Sequence, residues 1–423
     1  MPYVFIIEGA DKCGKSELSK HLIDKFKCNY VHNGKYRENP FRNYDFAMNI
    51  LKSFEGQPCL LLDRYVLSNY VYSNVFKDGE DPLPYNVFQA YRNHFDRVAR
   101  LHGYIPVWIV CTPNKETWKA TFEKSVNQGK ELYTSLEKME QVYNLMEGTG
   151  VDEHMYMFDW TQDSNYQNLD AYLEKIAEDF DLNYAQDPEK IPLNENTKQI
   201  AELMSYYRML KDSNEPLTNG TYEILNHHFI MDPAEDIEFT GYKVNREYHK
   251  KELDWYLSLD RSIKGWMDDV TIWANVASKD DKREINSNYG WCVFSPENGD
   301  QYKNALEALE KDPNTRQAQI IYTRPSMHED WCEGGRHDFI CTNTVQLFIR
   351  DNKLFYKIDQ RSLDTTTGLR ADWYWHIYVY EKALKDLQRT FPNLRPGKIL
   401  WNVGSCHIYE RSFKVLDKIT DAL

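Results

Sequence analysis

The sequence predicts two domains in series: an α/β domain whose parallel sheet is covered by helices on both faces, then an α+β domain. Three observations carry that prediction. Through the first half, short apolar runs alternate with amphipathic stretches; a polar, Pro- and Asn-rich stretch, "AQDPEKIPLNENTK", interrupts the chain at 185–198; and beyond it two alternating runs, "TVQLFIR" and "LFYKIDQ", meet at Asp351-Asn352-Lys353. Strands separated by helices imply parallel pairing, and strands separated by a short turn imply a hairpin. We place the first domain over 1–185, a linker and entry helix over 186–217, and the second domain over 218–423.

In chain order, the expected strands of the first half are "YVFIIE", "CLLLD" at 59–63, "PVWIVC" at 106–111 and "MYMFDW" at 155–160. The expected helices run from Lys15 to Phe26, from Lys115 to Leu145, and over "LDAYLEKIAEDF". In the second half, "TYEILNHHFIMD" reads as a strand, Tyr248 to Leu257 as a helix, "WYWHIYVYEKALKDLQRTF" as a mostly buried helix and "KILWNVGSCHIY" as a closing strand.

The totals exclude several function classes. With 42% hydrophobic and 27% charged residues the chain is globular, and its formal net charge of −14 opposes nucleic acid and anionic membrane. Small anionic substrates in a local pocket suit it better. No stretch reaches the roughly 18 apolar residues of a membrane span, and the opening turns polar too early for a signal peptide, so we expect a cytoplasmic protein. The eight cysteines form no CxxC pair, which suits reduced thiols and not a zinc site.

The stretch "GADKCGKS", Gly9 to Ser16, fits G-x-x-x-x-G-K-[ST] and lies between an apolar run and a helix start. In that place backbone N–H groups of Gly9 and Gly14 would face phosphates, Lys15 would reach the β/γ oxygens and Ser16 would hold Mg²⁺. Further on, Asp63-Arg64-Tyr65 ends a strand, where α/β sheets take ligands, and Ser68 follows. With Glu8 and Asp11, these residues resemble the thymidylate kinase family of nucleoside monophosphate kinases over roughly residues 1–185. The resemblance implies an α/β P-loop kinase domain binding ATP and Mg²⁺, with Asp11 on the nucleotide sugar and Asp63 and Arg64 on the monophosphate acceptor. Lys12 inside the loop and the arginine-poor "KSVNQGKELYTSLEKMEQ" match one variety of the family. The helix expected over "FRNYDFAMNILKSF" lacks the arginine that the family uses near thymine.

A lone cysteine is usually apolar filler, but Cys341 opens "CTNTVQLFIRD" at the mouth of an expected strand. A thiolate added to C6 of a pyrimidine makes C5 nucleophilic, and Arg361 on the neighbouring strand would lower its pKa. The surrounding phrases "EINSNYGW", "IIYTRPSM", "DFICTNTVQ", "QRSLD" and "WNVGS" resemble the thymidylate synthase superfamily, and within it the deoxycytidylate hydroxymethylases, from about Thr218 to Val415.

That resemblance implies an α+β thymidylate synthase-like domain using 5,10-methylenetetrahydrofolate. It makes Cys341 the nucleophile, Glu252 the general acid/base, and Arg361 and Ser362 phosphate ligands. Asp364 and Trp273 would contact folate, His407 and Tyr409 would grip deoxyribose, and Tyr289 would line the pocket. Asp372 stands where thymidylate synthases have asparagine. A protonated aspartic acid donates to N3 and accepts from the N4 amino group, the pattern of cytosine. The family also takes phosphate ligands from two consecutive arginines of a second subunit. Here the pair is Arg316-Gln317, and "NEPLTNGTYE" lacks the usual basic residue; the arginine that remains implies a homodimer.

Together these readings predict a bifunctional enzyme that hydroxymethylates dCMP at C5 and phosphorylates a deoxypyrimidine monophosphate. The alternatives are reductive C5 methylation of dCMP or dUMP on the same scaffold, or one half being a non-catalytic nucleotide-binding module.

Overall fold

A computed structural model describes residues 2–32, 59–76, 82–131, 133–184, 193–239, 245–332 and 336–423, with positions 49, 51 and 53. The expected helix "FRNYDFAMNILKSF" therefore lies outside the described residues apart from those three positions. Two compact units emerge, one comprising Met1–Ile191, Ala201–Pro216 and Thr420–Leu423, the other Pro192–Ile200 and Leu217–Ile419.

The first unit is built on a five-stranded sheet of β1 (Tyr3–Glu8), β2 (Asn29–His32), β3 (Leu60–Asp63), β4 (Ile105–Cys111) and β5 (Tyr156–Phe158), in the order β2-β3-β1-β4-β5. Every pairing is parallel, as the alternation of strands and helices predicts. All six residues of β1 are buried, which a continuous apolar run achieves only in a covered central strand. Residues 9–14 follow it at the carboxyl edge of the sheet. There Gly9 (φ 147°), Lys12 (φ 64°) and Gly14 (φ 95°) take positive φ before the Lys15–Phe26 helix.

Two readings of this half need correction. The helix expected from Lys115 to Leu145 is two helices, Lys115–Asn127 and Leu136–Asp152. Gly129 (φ 66°) breaks the first, and the Ser135 side chain caps the second by accepting from the Lys138 N–H. Strand β2 went unpredicted, because its four residues are alternately half-buried and exposed and present no apolar run.

The second unit holds β6 (Thr221–Met231), β7 (Gln319–Ile321), β8 (Thr342–Arg350), β9 (Lys353–Asp364) and β10 (Arg395–Tyr409), in the order β6-β10-β9-β8-β7. The expected hairpin joins β8 and β9 through Asp351 (φ 51°) and Asn352 (φ 56°), the left-handed pair that a type I′ turn requires. Far from closing the sheet, β10 lies inside it, antiparallel to β6 and parallel to β9.

One face of β9 runs Leu354, Tyr356, Ile358, all buried, and then continues as Gln360, Ser362, Asp364. The matching face of β10 runs Ile399, Trp401, Val403 and then Ser405, His407, Tyr409. The core face turns polar half-way along both strands. The Gly368–Leu387 helix contacts β9, and the Arg246–Ser258 helix contacts both it and the Tyr289–Phe294 helix. That last approach is close: a Cβ at Gly290 would stand 1.8 Å from the Tyr256 carbonyl oxygen.

Candidate active site

Cys341 sits one residue before β8, half-buried, with its carbonyl accepting from the Arg361 N–H at 2.8 Å. The β8–β9 ladder shifts register between Thr342 and Thr344, an irregularity of the kind that re-aims a strand end beside an active site. Arg361 reaches over this loop, donating to the carbonyls of Ile340 (3.1 Å) and Phe339 and placing Nη2 3.7 Å from the Cys341 Sγ. The expected lowering of the thiol pKa is not what results. Burial pushes Cys341 up to about 11, Arg361 only partly opposes it, and Asp372 and Asp338 add to the rise. One guanidinium does not offset desolvation together with two acidic neighbours.

Glu252 is no helix-surface carboxylate. It lies on the buried stripe of its helix with His249, Trp255 and Tyr256, and accepts from the Tyr248 hydroxyl at 2.7 Å. The Tyr248 oxygen in turn accepts from the Trp273 indole N–H at 3.1 Å. Burial pushes Glu252 up to about 8, opposed by the Tyr248 hydrogen bond and reinforced by the Asp372 charge.

Asp372 falls in the second turn of the Gly368–Leu387 helix, five residues past the Thr367 cap position, so capping does not explain it. Burial pushes it up to about 7. Its Oδ2 accepts from Gln360 Nε2 at 2.6 Å, and Gln360 Oε1 accepts from the Trp401 indole at 2.7 Å. An indole N–H can only donate, so the Gln360 amide is oriented and Asp372 receives a donor, never an acceptor.

The remaining expected residues divide. His407 is buried and meets the Tyr409 ring edge-on at 5.1 Å, while Ser362 lies beside Ser405 in the parallel register. Asp364 accepts from the Thr366 N–H at 3.0 Å and from the Thr366 hydroxyl on Oδ1, and from the Thr367 hydroxyl on Oδ2, which retains capacity to accept again. Tyr289 stacks on Tyr256 at 5.3 Å, and its electrostatic neighbours include Asp372 and Cys341. Arg316 is exposed, its carbonyl accepting from Gln346, and among the described contacts it joins none of these groups.

Two functional candidates escaped the sequence: Tyr248 and Gln360. The first stands four residues before Glu252, a spacing that faces side chains on a helix. The second adjoins Arg361, but its partners Asp372 and Trp401 are 12 and 41 residues away.

The thymidylate synthase family profile matches residues 209–421, half of the chain. The chain belongs to the thymidylate synthase family. Among its relatives, the deoxycytidylate 5-hydroxymethyltransferase of Enterobacteria phage T6 is 42% identical over 200 residues, spanning 47% of this chain and 79% of that protein. A thymidylate synthase of Francisella tularensis subsp. holarctica is 25% identical over 235 residues, spanning 52% of this chain and 83% of its own length. Of solved structures, the thermostable thymidylate synthase A from Bacillus subtilis aligns with 48% of this chain and 71% of its own at 21% identity and TM-score 0.38. The family match thus falls on the unit that holds Cys341, Glu252 and Asp372.

In the first unit, Lys15 Nζ folds back on its own loop, donating to the carbonyls of Gly9 (2.8 Å) and Ala10 (2.7 Å). Burial lowers its pKa, and the Arg64 charge adds to that. Arg64 pairs with Asp11, and Lys12 with Glu131 at 2.9 Å. Asp63 accepts from the Tyr30 hydroxyl at 2.7 Å and contacts His32 Nδ1 at 3.1 Å. Side chains are excluded at both loop glycines, where a Cβ would meet the Cys111 carbonyl at 3.0 Å (Gly9) or Trp160 at 2.6 Å (Gly14). Ser16 is exposed in the first helical turn. Backbone N–H groups at a helix N-terminus with a lysine beside them are a general anion-binding arrangement. Among the described residues no helix is long and apolar enough to cross a membrane.

Proposed function

We propose that the second unit transfers a one-carbon unit from 5,10-methylenetetrahydrofolate to C5 of dCMP and completes the reaction with water, giving 5-hydroxymethyl-dCMP. The observation that carries this reading is Asp372, a half-buried acid with its pKa pushed up to about 7 and an oriented amide donor on one oxygen. Up to about pH 7 a large share of such an acid holds its proton, and a neutral carboxylic acid donates and accepts at once, as the N3 and N4 edge of cytosine requires. The 42% identity to a phage deoxycytidylate 5-hydroxymethyltransferase supports the same choice.

Cys341, as thiolate, adds to C6 and makes C5 nucleophilic, while Asp372 holds N3 and N4. Arg361, with Nη2 3.7 Å from the sulfur, stabilises the thiolate at the moment it forms. Bound methylenetetrahydrofolate supplies a carbon at the oxidation level of formaldehyde. Trp273 and Asp364 would hold it, the half-buried indole supplying an aromatic wall. Glu252, in its deprotonated form, takes the C5 proton and positions water; once water has added to the exocyclic carbon, Cys341 leaves C6 as thiolate and the C5=C6 bond is restored. Ser362 and Arg361, joined by Arg316 of a second copy, receive the phosphate, and His407 with Tyr409 receives the sugar. A homodimer is supported by half-buried Phe348, Phe355 and Leu400 on the outer face of the second sheet. Water addition leaves tetrahydrofolate, whereas hydride transfer would leave dihydrofolate. A stoichiometric rise in dihydrofolate during dCMP turnover would overturn the hydroxymethylase reading in favour of methylation.

For the first unit we propose phosphorylation of a deoxypyrimidine monophosphate by Mg-ATP. The Gly9–Ser16 loop would hold the phosphates and Ser16 the Mg²⁺, with Asp11, Asp63 and Arg64 toward the acceptor. Lys15→Ala is expected to lower phosphoryl transfer by about a hundredfold, the order of one preorganised donor, without changing C5 transfer. ADP release measured with ATP, and 5-hydroxymethyl-dCMP formation measured without it, check both. Unchanged ADP release would remove the kinase assignment and leave the non-catalytic module.

A further inference from the structure

The Trp273–Tyr248–Glu252 chain runs in one direction. The Trp273 indole N–H has only a proton to give, and the Tyr248 oxygen takes it at 3.1 Å. The Tyr248 hydroxyl proton is then directed to Glu252 Oε1, 2.7 Å away. Tyr248 and Glu252 stand at i and i+4 of the Arg246–Ser258 helix, so the bond is built into the helix geometry and needs no substrate to form. Trp273 comes from a different helix, Thr271–Val276, and its ring also packs edge-on against Trp255 at 5.5 Å.

We propose that Tyr248 is a positioning residue for C5 chemistry: its hydroxyl commits Glu252 Oε1 as an acceptor and leaves Oε2 as the oxygen that exchanges protons with the ring and with water. This rests on the reading of Glu252 as the general acid/base. It extends that reading by coupling the acid to Trp273, the residue placed beside folate, so occupancy on the folate side and the protonation of Glu252 are linked, chiefly through the Tyr248 hydroxyl and secondarily through the indole itself.

Among the described residues, the titratable groups facing Glu252 are Tyr248 and Tyr256 from its own helix and Asp372 from the Gly368–Leu387 helix. None is a cation. The two hydrogen-bond donors, Tyr248 first and Trp273 second, are therefore the influences that favour the Glu252 anion against burial.

The sign of the effect follows. Tyr248→Phe removes the stronger donor, so the pH limb that belongs to Glu252 moves to higher pH, whichever protonation state is active. Replacement of Tyr248 by 3-fluorotyrosine keeps the shape and makes the hydroxyl a stronger donor, so the limb moves to lower pH. The experiment is the pH dependence of kcat and kcat/KM for folate-dependent dCMP turnover by the full chain and both variants. The expected result is opposite limb shifts, with kcat of the phenylalanine variant lowered by about ten- to a hundredfold and the KM for dCMP little changed. A limb unmoved by fluorotyrosine, or a loss confined to KM, would overturn the role of Tyr248 while leaving Glu252 in place. An unaltered chain that turns over no dCMP would overturn both.

Discussion

Replacing Cys341 with serine abolishes C5 transfer, with an expected loss of about 10⁵-fold or more, because every later step needs the ring to be activated at C6 first. Serine is nearly isosteric, so the half-buried position keeps its packing, and the Arg361 N–H still finds the carbonyl at 341. The thiol pushed up to about 11 makes the effect more instructive. A resting thiolate is scarce, so the nucleophile must be generated as substrate binds, and a hydroxyl with its far higher pKa cannot be generated this way. Tritium release from [5-³H]dCMP, which reports loss of the C5 hydrogen from the activated ring, is the measurement. A serine variant that releases tritium at the parent's rate would remove Cys341 from the mechanism.

The second large effect concerns the base. Asp372→Asn replaces an acid that donates and accepts according to its proton by an amide with fixed ends, one that can donate to O4 and accept from N3–H of uracil. The preference of dCMP over dUMP, measured as the ratio of kcat/KM values, is expected to swing by about 10⁴-fold toward dUMP, since a site built for one hydrogen-bond pattern leaves buried groups unpaired against the other. Gln360 still donates into the changed side chain, to the amide oxygen, so the loop and helix need not rearrange. The parent should also lose dCMP turnover as pH rises through about 7, where Asp372 gives up its proton, and the asparagine variant should lack that limb. An unchanged substrate ratio would mean that Asp372 does not read the base.

The sequence announces what depends on continuous pattern. The all-buried β1 and the Asp351-Asn352 turn are visible as an apolar run and a turn pair. Strand β2 is not, because an edge strand of four residues with alternating exposure resembles a loop. The break between the helices at Gly129 was signalled by the glycine and by the Ser135 cap, but the amphipathic spacing on either side concealed it.

At the site, residue types were legible and their environments were not. Cys341, Glu252 and Asp372 stand out through the phrases around them, whereas the pKa of each is set mainly by burial, which only the fold decides. Tyr248 and Gln360 stayed hidden for a related reason. Each acts by holding another side chain, and that relation exists only once helix and sheet are assembled.

The central claim is that this chain builds a hydroxymethyl group on cytosine, and mass spectrometry of the nucleotide product tests it most directly. With dCMP and 5,10-methylenetetrahydrofolate, in the absence of ATP, the account predicts a monophosphate heavier than dCMP by one CH₂O unit. A product heavier by CH₂ alone, or conversion of dUMP with dCMP left untouched, would contradict it.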